Sequence, residues 1–455
     1  MLELAVLGGG PAGTGPLIWA AQNGMLPAWL DRGIAVVERT AGMGGSLGQY
    51  LVNADSLGAS FLGCLDAPAA RDLLASASEA PATLLLQEYR DRYPPLRLVS
   101  EFEHCLGRAL ADVIGAHPGG SFLPHTTVHA LHINRDGSIT VQVAAGESLR
   151  ARSVIIGLGG RQEQEDALAR ELLPDLRLRD IDRTKMVFSG HLLTEAGLAR
   201  AGAILGAAGR AKTMVIGGSH SAFSAVWALL RVLHDPPFGP GDINVLCRRE
   251  PKIYYPTRMA AATDGYAFAE RDVCPATQRV HRFGGLRNDG REIWRRLSGR
   301  PGAPPEPRAR MIRLYDPSLS PERLRRLLDE AALIVPALGY RFSTVPVHDA
   351  AGRRVPLMAE AGMPAVDRDC RILTTEGVAL PNVFGIGLAS NYRPWGELAA
   401  EPGLDRQQNS LWLYQNALGR LIYEAVRRHS DRSSPPRQAH RRDYPRLMAS
   451  KVRRA

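Results

Sequence analysis

The sequence predicts an α/β chain: a doubly wound parallel sheet with a second, smaller sheet of the same kind inserted into it. Three observations carry this. An apolar run, a glycine turn and a helical run follow one another at the N-terminus. The same succession recurs from residue 213. Two further apolar runs that end in glycine turns, at 153–160 and 333–340, fall on either side of the second unit.

The first unit is Leu4-Ala5-Val6-Leu7, then Gly8-Gly9-Gly10-Pro11-Ala12-Gly13, then Leu17-Ile18-Trp19-Ala20-Ala21. A strand entering a helix through G-x-G-x-x-G is the context in which these glycines mark a dinucleotide crevice. Gly8 permits the tight turn, Gly10 lets the backbone approach a pyrophosphate, and Gly13 lets the helix pack on the strand. Pro11 and Ala12 open the helix, whose free N–H groups and dipole favour phosphate. The next strand, Ile34-Ala35-Val36-Val37, ends in Glu38 and Arg39. A carboxylate there accepts hydrogen bonds from an adenosine ribose and would repel a 2′-phosphate.

After it, residues 39–50 are too glycine-rich for a helix or a central strand. A loop leaving the carboxyl end of the second strand lies beside the crevice. Gly45, Ser46, Leu47, Gln49 and Tyr50 are its candidates for contact with a bound ring, and Asp55 and Ser56 are further polar candidates. Residues 66–116 are largely helical in pattern, with Phe102, Cys105, Leu106, Leu110 and Val113 at three- and four-residue steps. Thr127–Ile133, with Val128 near its start, and Ser138–Val143 flank Asn134-Arg135-Asp136-Gly137, a hairpin signal. The strand Ser153–Ile156 ends in Gly157-Leu158-Gly159-Gly160, where Gly157 and Gly159 allow close approach to a ligand.

The second unit runs from Thr213-Met214-Val215-Ile216 through Gly217-Gly218-Ser219-His220-Ser221-Ala222 into an apolar helix, Phe223–Val232. Ser219 and Ala222 replace glycines, but small residues keep the turn compact. The following strand, Ile243–Leu246, ends in Cys247-Arg248-Arg249. Two guanidiniums stand where the first unit carries an acid. Arginine matches phosphate by bidentate hydrogen bonding, which favours NADPH over NADH here. Residues 250–330 are the least readable, apart from the extended loop Arg300–Pro307 and a helix Pro321–Ala332 opened by Ser320. Asn382–Gly387 is another strand meeting a glycine turn, with Gly387 and Leu388 as candidate contacts. Leu411–Val426 reads as a final amphipathic helix, and Ser, Pro and Arg dominate from about His429.

Composition narrows the classes. The chain has 455 residues, 45% hydrophobic and 22% charged, as in an ordinary globular protein. No apolar run approaches the ~20 residues needed to cross a bilayer, and the N-terminus lacks a signal peptide's basic start, so a cytoplasmic location without membrane association is expected. The net charge of +10 comes with only four lysines, at 185, 212, 252 and 451. An arginine bias beside abundant Ala, Gly and Pro, with no nucleic-acid-binding motif, points away from a nucleic-acid partner. The five cysteines form no C-x-x-C pair and no Cys/His cluster with zinc spacing. That argues against a redox dithiol and a metal centre.

Together these motifs resemble those of two-dinucleotide-binding flavoproteins, and among them the N-hydroxylating and flavin-containing (class B) monooxygenases. Gly8–Gly13 with Glu38 resembles the FAD motif, and Gly217–Ala222 the inserted NAD(P) motif. Ala337-Leu338-Gly339-Tyr340 is similar to the A-T-G-Y segment of that group, with Leu338 replacing Thr. The resemblance implies a Rossmann-like FAD-binding domain in two parts, 1–185 and 336–428, an inserted NAD(P)-binding domain at 186–335, and a basic tail at 429–455 without fixed structure. It implies FAD and NADPH as cofactors, with NADH the weaker alternative. It also implies oxygen insertion through a flavin C4a-(hydro)peroxide into a small-molecule substrate, an amine nitrogen in specialised metabolism. Two departures stand out. Leu388 follows Gly387 where relatives carry Asp, and Thr194 breaks the Baeyer–Villiger pattern begun by Phe188-Ser189-Gly190. The alternatives are a flavoprotein oxidoreductase without oxygen insertion and a non-enzymatic nucleotide-binding protein on the same scaffold.

Overall fold

Five parallel strands form the centre of the larger sheet, in the order Gly120–Leu123, Ile34–Val37, Leu2–Leu7, Ser148–Ile156 and Ala379–Gly385. The computed structural model describes residues 1–433 apart from 163, 174, 210, 236, 318 and 405–409. Near-continuous apolar runs suit strands buried on both faces. Leu4–Leu7 and Ile34–Val36 are at most 0% exposed. One face is covered by helix Pro11–Gln22 and the C-terminal helix Ala417–Ser433, and the long helix Leu96–Ala116 packs on Gly120–Leu123. The expected hairpin is present: Val128–Ile133 pairs antiparallel with Ile139–Val143 and extends the sheet.

The smaller sheet is all parallel, in the order Ala309–Arg313, Ile243–Cys247, Thr213–Ile216, Leu333–Pro336. Helix His220–Arg231 packs on it and against helix Asn288–Leu297. The chain passes between the two sheets at Gly160–Arg161 and Arg341–Phe342, and these two crossover segments pair with each other antiparallel.

Several expectations change. The last helix is two helices, Leu411–Gln415 and Ala417–Ser433. The break follows from close packing, since a Cβ on Gly15 would lie 2.6 Å from the Tyr414 carbonyl oxygen. Residues 429–433, expected in the tail, continue the helix; 434–455 lie outside the described residues. Helix Pro321–Glu330 ends two residues early, and the Ser320 side chain caps it by accepting from the Arg323 N–H. The edge strand Gly120–Leu123, the helix Asn288–Leu297 and the strand Ala309–Arg313 lack a readable period. Among the described residues, no helix is long and apolar enough to cross a membrane.

Candidate functional site

Both glycine turns are built on the same backbone plan. In the first, the Gly8 N–H donates to the Val37 carbonyl at 2.8 Å and the Gly157 N–H to the Leu7 carbonyl at 2.8 Å. In the second, the Gly217 N–H donates to the Leu246 carbonyl at 3.0 Å and the Ala337 N–H to the Ile216 carbonyl at 2.8 Å. Each turn is pressed onto the segment it bonds. A Cβ on Gly8 would sit 2.6 Å from the Gly157 oxygen, and one on Gly217 2.5 Å from the Ala337 oxygen. Gly8 has φ +99° and Gly217 φ +149°, which side chains rarely adopt.

The first turn fits a pyrophosphate. Behind it, a Cβ on Gly13 would lie 2.0 Å from the Gly8 oxygen, so the helix sits directly on the strand. In front, a Cβ on Gly10 would meet nothing closer than 3.7 Å, which leaves the turn open. Pro11 begins the helix, and Gly10 as N-cap supplies no side-chain hydrogen bond to the first-turn N–H groups. Three other segments close round this point. The Gly44 N–H donates to the Gly9 carbonyl at 2.9 Å. Gly45 lies against Pro11, and Gly387 against Ala12, where Cβ atoms would come within 2.9 and 3.0 Å. Gly160 abuts the Leu388 side chain. Gly45 and Gly387, two of the expected flavin-side residues, therefore lie at the terminus of this helix.

Glu38 is buried at the end of its strand. Its Oε2 accepts from the Gly9 N–H at 2.7 Å, and its Oε1 accepts from the Thr40 N–H at 2.9 Å. Oε1 also accepts from the Thr40 hydroxyl at 2.9 Å, so about one of a carboxylate's four acceptor positions remains for a ribose hydroxyl. Arg39 is exposed beside it. Val128 stands two residues past Thr126, whose N–H donates to the Glu38 carbonyl at 2.8 Å. It thus borders the far end of the same crevice.

At the second turn, Ser219 is the N-cap of helix His220–Arg231 and makes no side-chain capping bond. Cys247 lies beneath Gly218, and burial pushes its thiol up to about 12. It fills space and has no thiolate to offer redox chemistry. Arg248 and Arg249 are exposed just beyond the strand end, where the sequence places them for a 2′-phosphate.

The two crevices meet through side chains. The Tyr340 side chain lies near Ser221 and Tyr50, and burial raises its pKa above the usual phenol value. Gln162, from the crossover, accepts from the Gly190 N–H at 2.9 Å and donates to Ser189 Oγ at 2.9 Å. The Leu51 N–H donates to the Leu193 carbonyl at 2.8 Å. Next to this junction, His220 Nε2 lies 3.7 Å from Asp55 Oδ2 across the boundary. A cleft lined by Asn53, Asp55, His220, Ser224, Trp227, Arg287 and Asn288 opens there. Asn53 and Asn288 tie its walls. The Asn53 amide donates to Asp289 Oδ2 at 2.9 Å, and the Asn288 amide to the Ala54 carbonyl at 3.0 Å.

Ser46 and Gln49 are exposed on the loop facing this junction, and Leu47–Gln49 forms a short 3-10 turn. Ser56 is turned to its neighbour, with its hydroxyl 3.4 Å from Asp55 Oδ1. Asn391 lines a separate cavity of ≈ 210 Å³ with Arg170, Tyr340 and Arg341. Trp395 points elsewhere, and its Nε1 donates to the Arg368 carbonyl at 3.0 Å. Gln162, Asn288 and Arg287 escape the sequence reading because nothing local marks them. The positive φ of +41° at Asn288 is the one local signal, and asparagine tolerates it.

Against known proteins, no family model matches the chain. The CMP-5′-(3-aminopropyl)phosphonate hydroxylase of Streptomyces rubellomurinus is 32% identical over 432 residues, which is 92% of this chain and 96% of that one. Among solved structures, the L-lysine 6-monooxygenase of Pseudomonas syringae matches with a TM-score of 0.53 at 15% identity, over 94% of this chain and 100% of that one. The cadaverine monooxygenase of Erwinia amylovora, bound to FAD, matches with a TM-score of 0.54 at 13% identity, over 100% of both chains. The structural matches show a shared fold, and the sequence match over nearly the whole length shows kinship. The chain belongs to the two-dinucleotide-binding flavoprotein monooxygenases, the group that includes the N-hydroxylating enzymes.

Proposed function

We propose that this protein is an FAD-dependent, NADPH-using monooxygenase that hydroxylates the nitrogen of a primary amine. The observation that carries the reading is the pair of turns with one backbone plan, joined at Tyr50, Ser221 and Tyr340. The turn at Gly8–Gly13 would hold the FAD pyrophosphate, with Glu38 on the ribose and Gly45, Gln49 and Tyr50 beside the ring. The turn at Gly217–Ser221 would hold NADPH, with Arg248 and Arg249 on its 2′-phosphate. Bound flavin, once reduced by NADPH, supplies the activation of dioxygen.

The chain's own residues have three tasks. They bring the two cofactors together, exclude water and present the amine. The crossover bonds of Gln162 and the Leu51–Leu193 link hold the junction closed. Asp55, on the cleft wall, offers a carboxylate to a substrate ammonium. His220 beside it can accept the proton that the amine must lose before its lone pair attacks. The 32% identical relative is named a CMP-5′-(3-aminopropyl)phosphonate hydroxylase, which supports an amine-bearing substrate.

The test uses the purified, flavin-loaded protein with NADPH, oxygen and a panel of primary amines. The reading expects a visible flavin absorbance band and amine-dependent oxygen consumption that yields a hydroxylamine. A protein that oxidises NADPH but returns every amine unchanged, with all oxygen recovered as peroxide, would be an oxidoreductase without oxygen insertion.

A further inference from the structure

Arg282 and Arg287 differ from most cations of this chain. Both are half-buried on the segment that leads into helix Asn288–Leu297, and among the described residues neither has a carboxylate within ion-pair distance. Their contacts are neutral. The Arg287 guanidinium lies 4.1 Å from the centre of the Tyr254 ring, and its Nη2 donates to the Arg282 carbonyl. The Arg282 guanidinium lies 4.4 Å from the centre of the Phe283 ring, with Nη1 3.5 Å from Cys274 Sγ.

Among the described residues, none of the nearby acids pairs with either arginine. Asp289 takes the Asn53 amide, and Asp55 faces His220. Arg291, one turn further on, differs in having Asp264 as a partner at 3.6 Å. Glu401 Oε1 accepts from the backbone N–H groups of Phe283 and Gly284, at 3.3 and 3.4 Å.

Cations withdrawn from water without a counter-charge are costly unless a ligand supplies one. Helix Asn288–Leu297 begins immediately after Arg287, and Asp289 in its first turn offsets the helix's positive end. Arg287 and Asp55 line the same cleft. The cleft therefore presents the Arg287 guanidinium together with the carboxylates of Asp55 and Asp289. Planar guanidiniums favour phosphoryl oxygens, which they meet bidentately.

We propose that Arg287 is a phosphoryl-binding subsite of this cleft, and that the amine substrate carries a phosphate or phosphonate group. The proposal rests on the amine-hydroxylase reading and specifies its substrate class. It separates this chain's substrate from a free diamine or an amino acid.

The experiment uses the full-length, flavin-loaded protein with two amines: CMP-5′-(3-aminopropyl)phosphonate, and 3-amino-1-propanol, which lacks a phosphoryl group. The Arg287→Ala variant is expected to raise KM for the first by about tenfold or more, the effect of a lost charged hydrogen bond. Its KM for the second should stay within about twofold, and Arg287→Lys should recover part of the loss. An equal rise for both amines, a rise confined to the KM for NADPH, or no rise at all would overturn the subsite. The rise confined to NADPH would assign the arginine to the cofactor's phosphates. If the wild type hydroxylates neither amine, the wider amine panel decides the enzymatic reading, and calorimetric titration with 5′-CMP decides the subsite alone. Loss of 5′-CMP binding in Arg287→Ala supports it, and equal binding overturns it. Should Arg287→Ala lose its flavin, Arg287→Gln and Arg287→Lys carry the same comparison.

Discussion

Glu103 shows how much one buried group can weigh. It lies in helix Leu96–Ala116 under the glycine loop, where a Cβ on Gly44 would come within 3.0 Å of the Glu103 carbonyl carbon. Its side chain is buried, and Oε1 has no hydrogen-bond partner among the described residues. Burial pushes the carboxyl from 4.5 up to about 8. The folded state therefore holds this proton over a range where the unfolded chain releases it. Stability falls as pH rises from about 4.5 to about 8, because the unfolded state binds fewer protons there. The total loss is on the order of a few kcal/mol. Glu103→Gln keeps the shape and removes the ionisation. It is expected to raise the melting temperature at pH 8 and to flatten its decline between pH 5 and 8, as followed by calorimetry. A variant with the parent's pH dependence would show that Glu103 is ionised in the fold.

At the scale of the element, the two strand ends explain why one scaffold can distinguish two dinucleotides. Ile34–Val37 ends in buried Glu38, and Ile243–Cys247 ends in exposed Arg248 and Arg249. The strands are parallel and adjacent to their glycine turns in the same sense. The terminal side chain thus sets the charge presented to the ribose. The double variant Arg248→Ala/Arg249→Ala is expected to raise the KM for NADPH by about tenfold or more and the KM for NADH by less than about twofold. Steady-state kinetics with both nucleotides checks it, and an unchanged preference would remove the strand end from cofactor selection.

The elements also show what could be read from the chain. Both turns stood out because strand, small-residue turn and helix are contiguous in sequence. The hairpin at Asn134–Gly137 was equally local. Helix Asn288–Leu297 and strand Ala309–Arg313 were not legible. The helix carries Asp289, Arg291, Glu292, Arg295 and Arg296 around Ile293 and Trp294, so few of its residues are apolar. The strand holds two arginines in five residues, since it lies at the sheet edge. The split of the last helix at Asn416 depended on Gly15, four hundred residues away.

For the whole molecule, the net charge of +10 has a kinetic consequence. NADPH is an anion, as is a phosphoryl-bearing amine, and a positive protein field speeds their approach. Raising the ionic strength from about 0.01 M to about 0.15 M shortens the screening length roughly fourfold. The kcat/KM for NADPH is expected to fall several-fold over that range while kcat changes little. Stopped-flow measurement of flavin reduction at low NADPH reads this directly, and a rate independent of salt would show that the charge is remote from the entrance.

From its residues alone, the chain determined two nucleotide crevices, their glycine geometry and the opposite charges at their strand ends. Each of these is specified by neighbours a few positions apart, through turn sterics and strand burial. The tertiary structure decided the rest. It set Gly45 against Pro11 and Gly387 against Ala12, joined Tyr340 to Tyr50 and Ser221, and placed Asp55, His220 and Arg287 on one cleft. Those groups come from segments that share no periodicity. Only the packing of one sheet against the other, through paired crossovers, brings them within reach of each other.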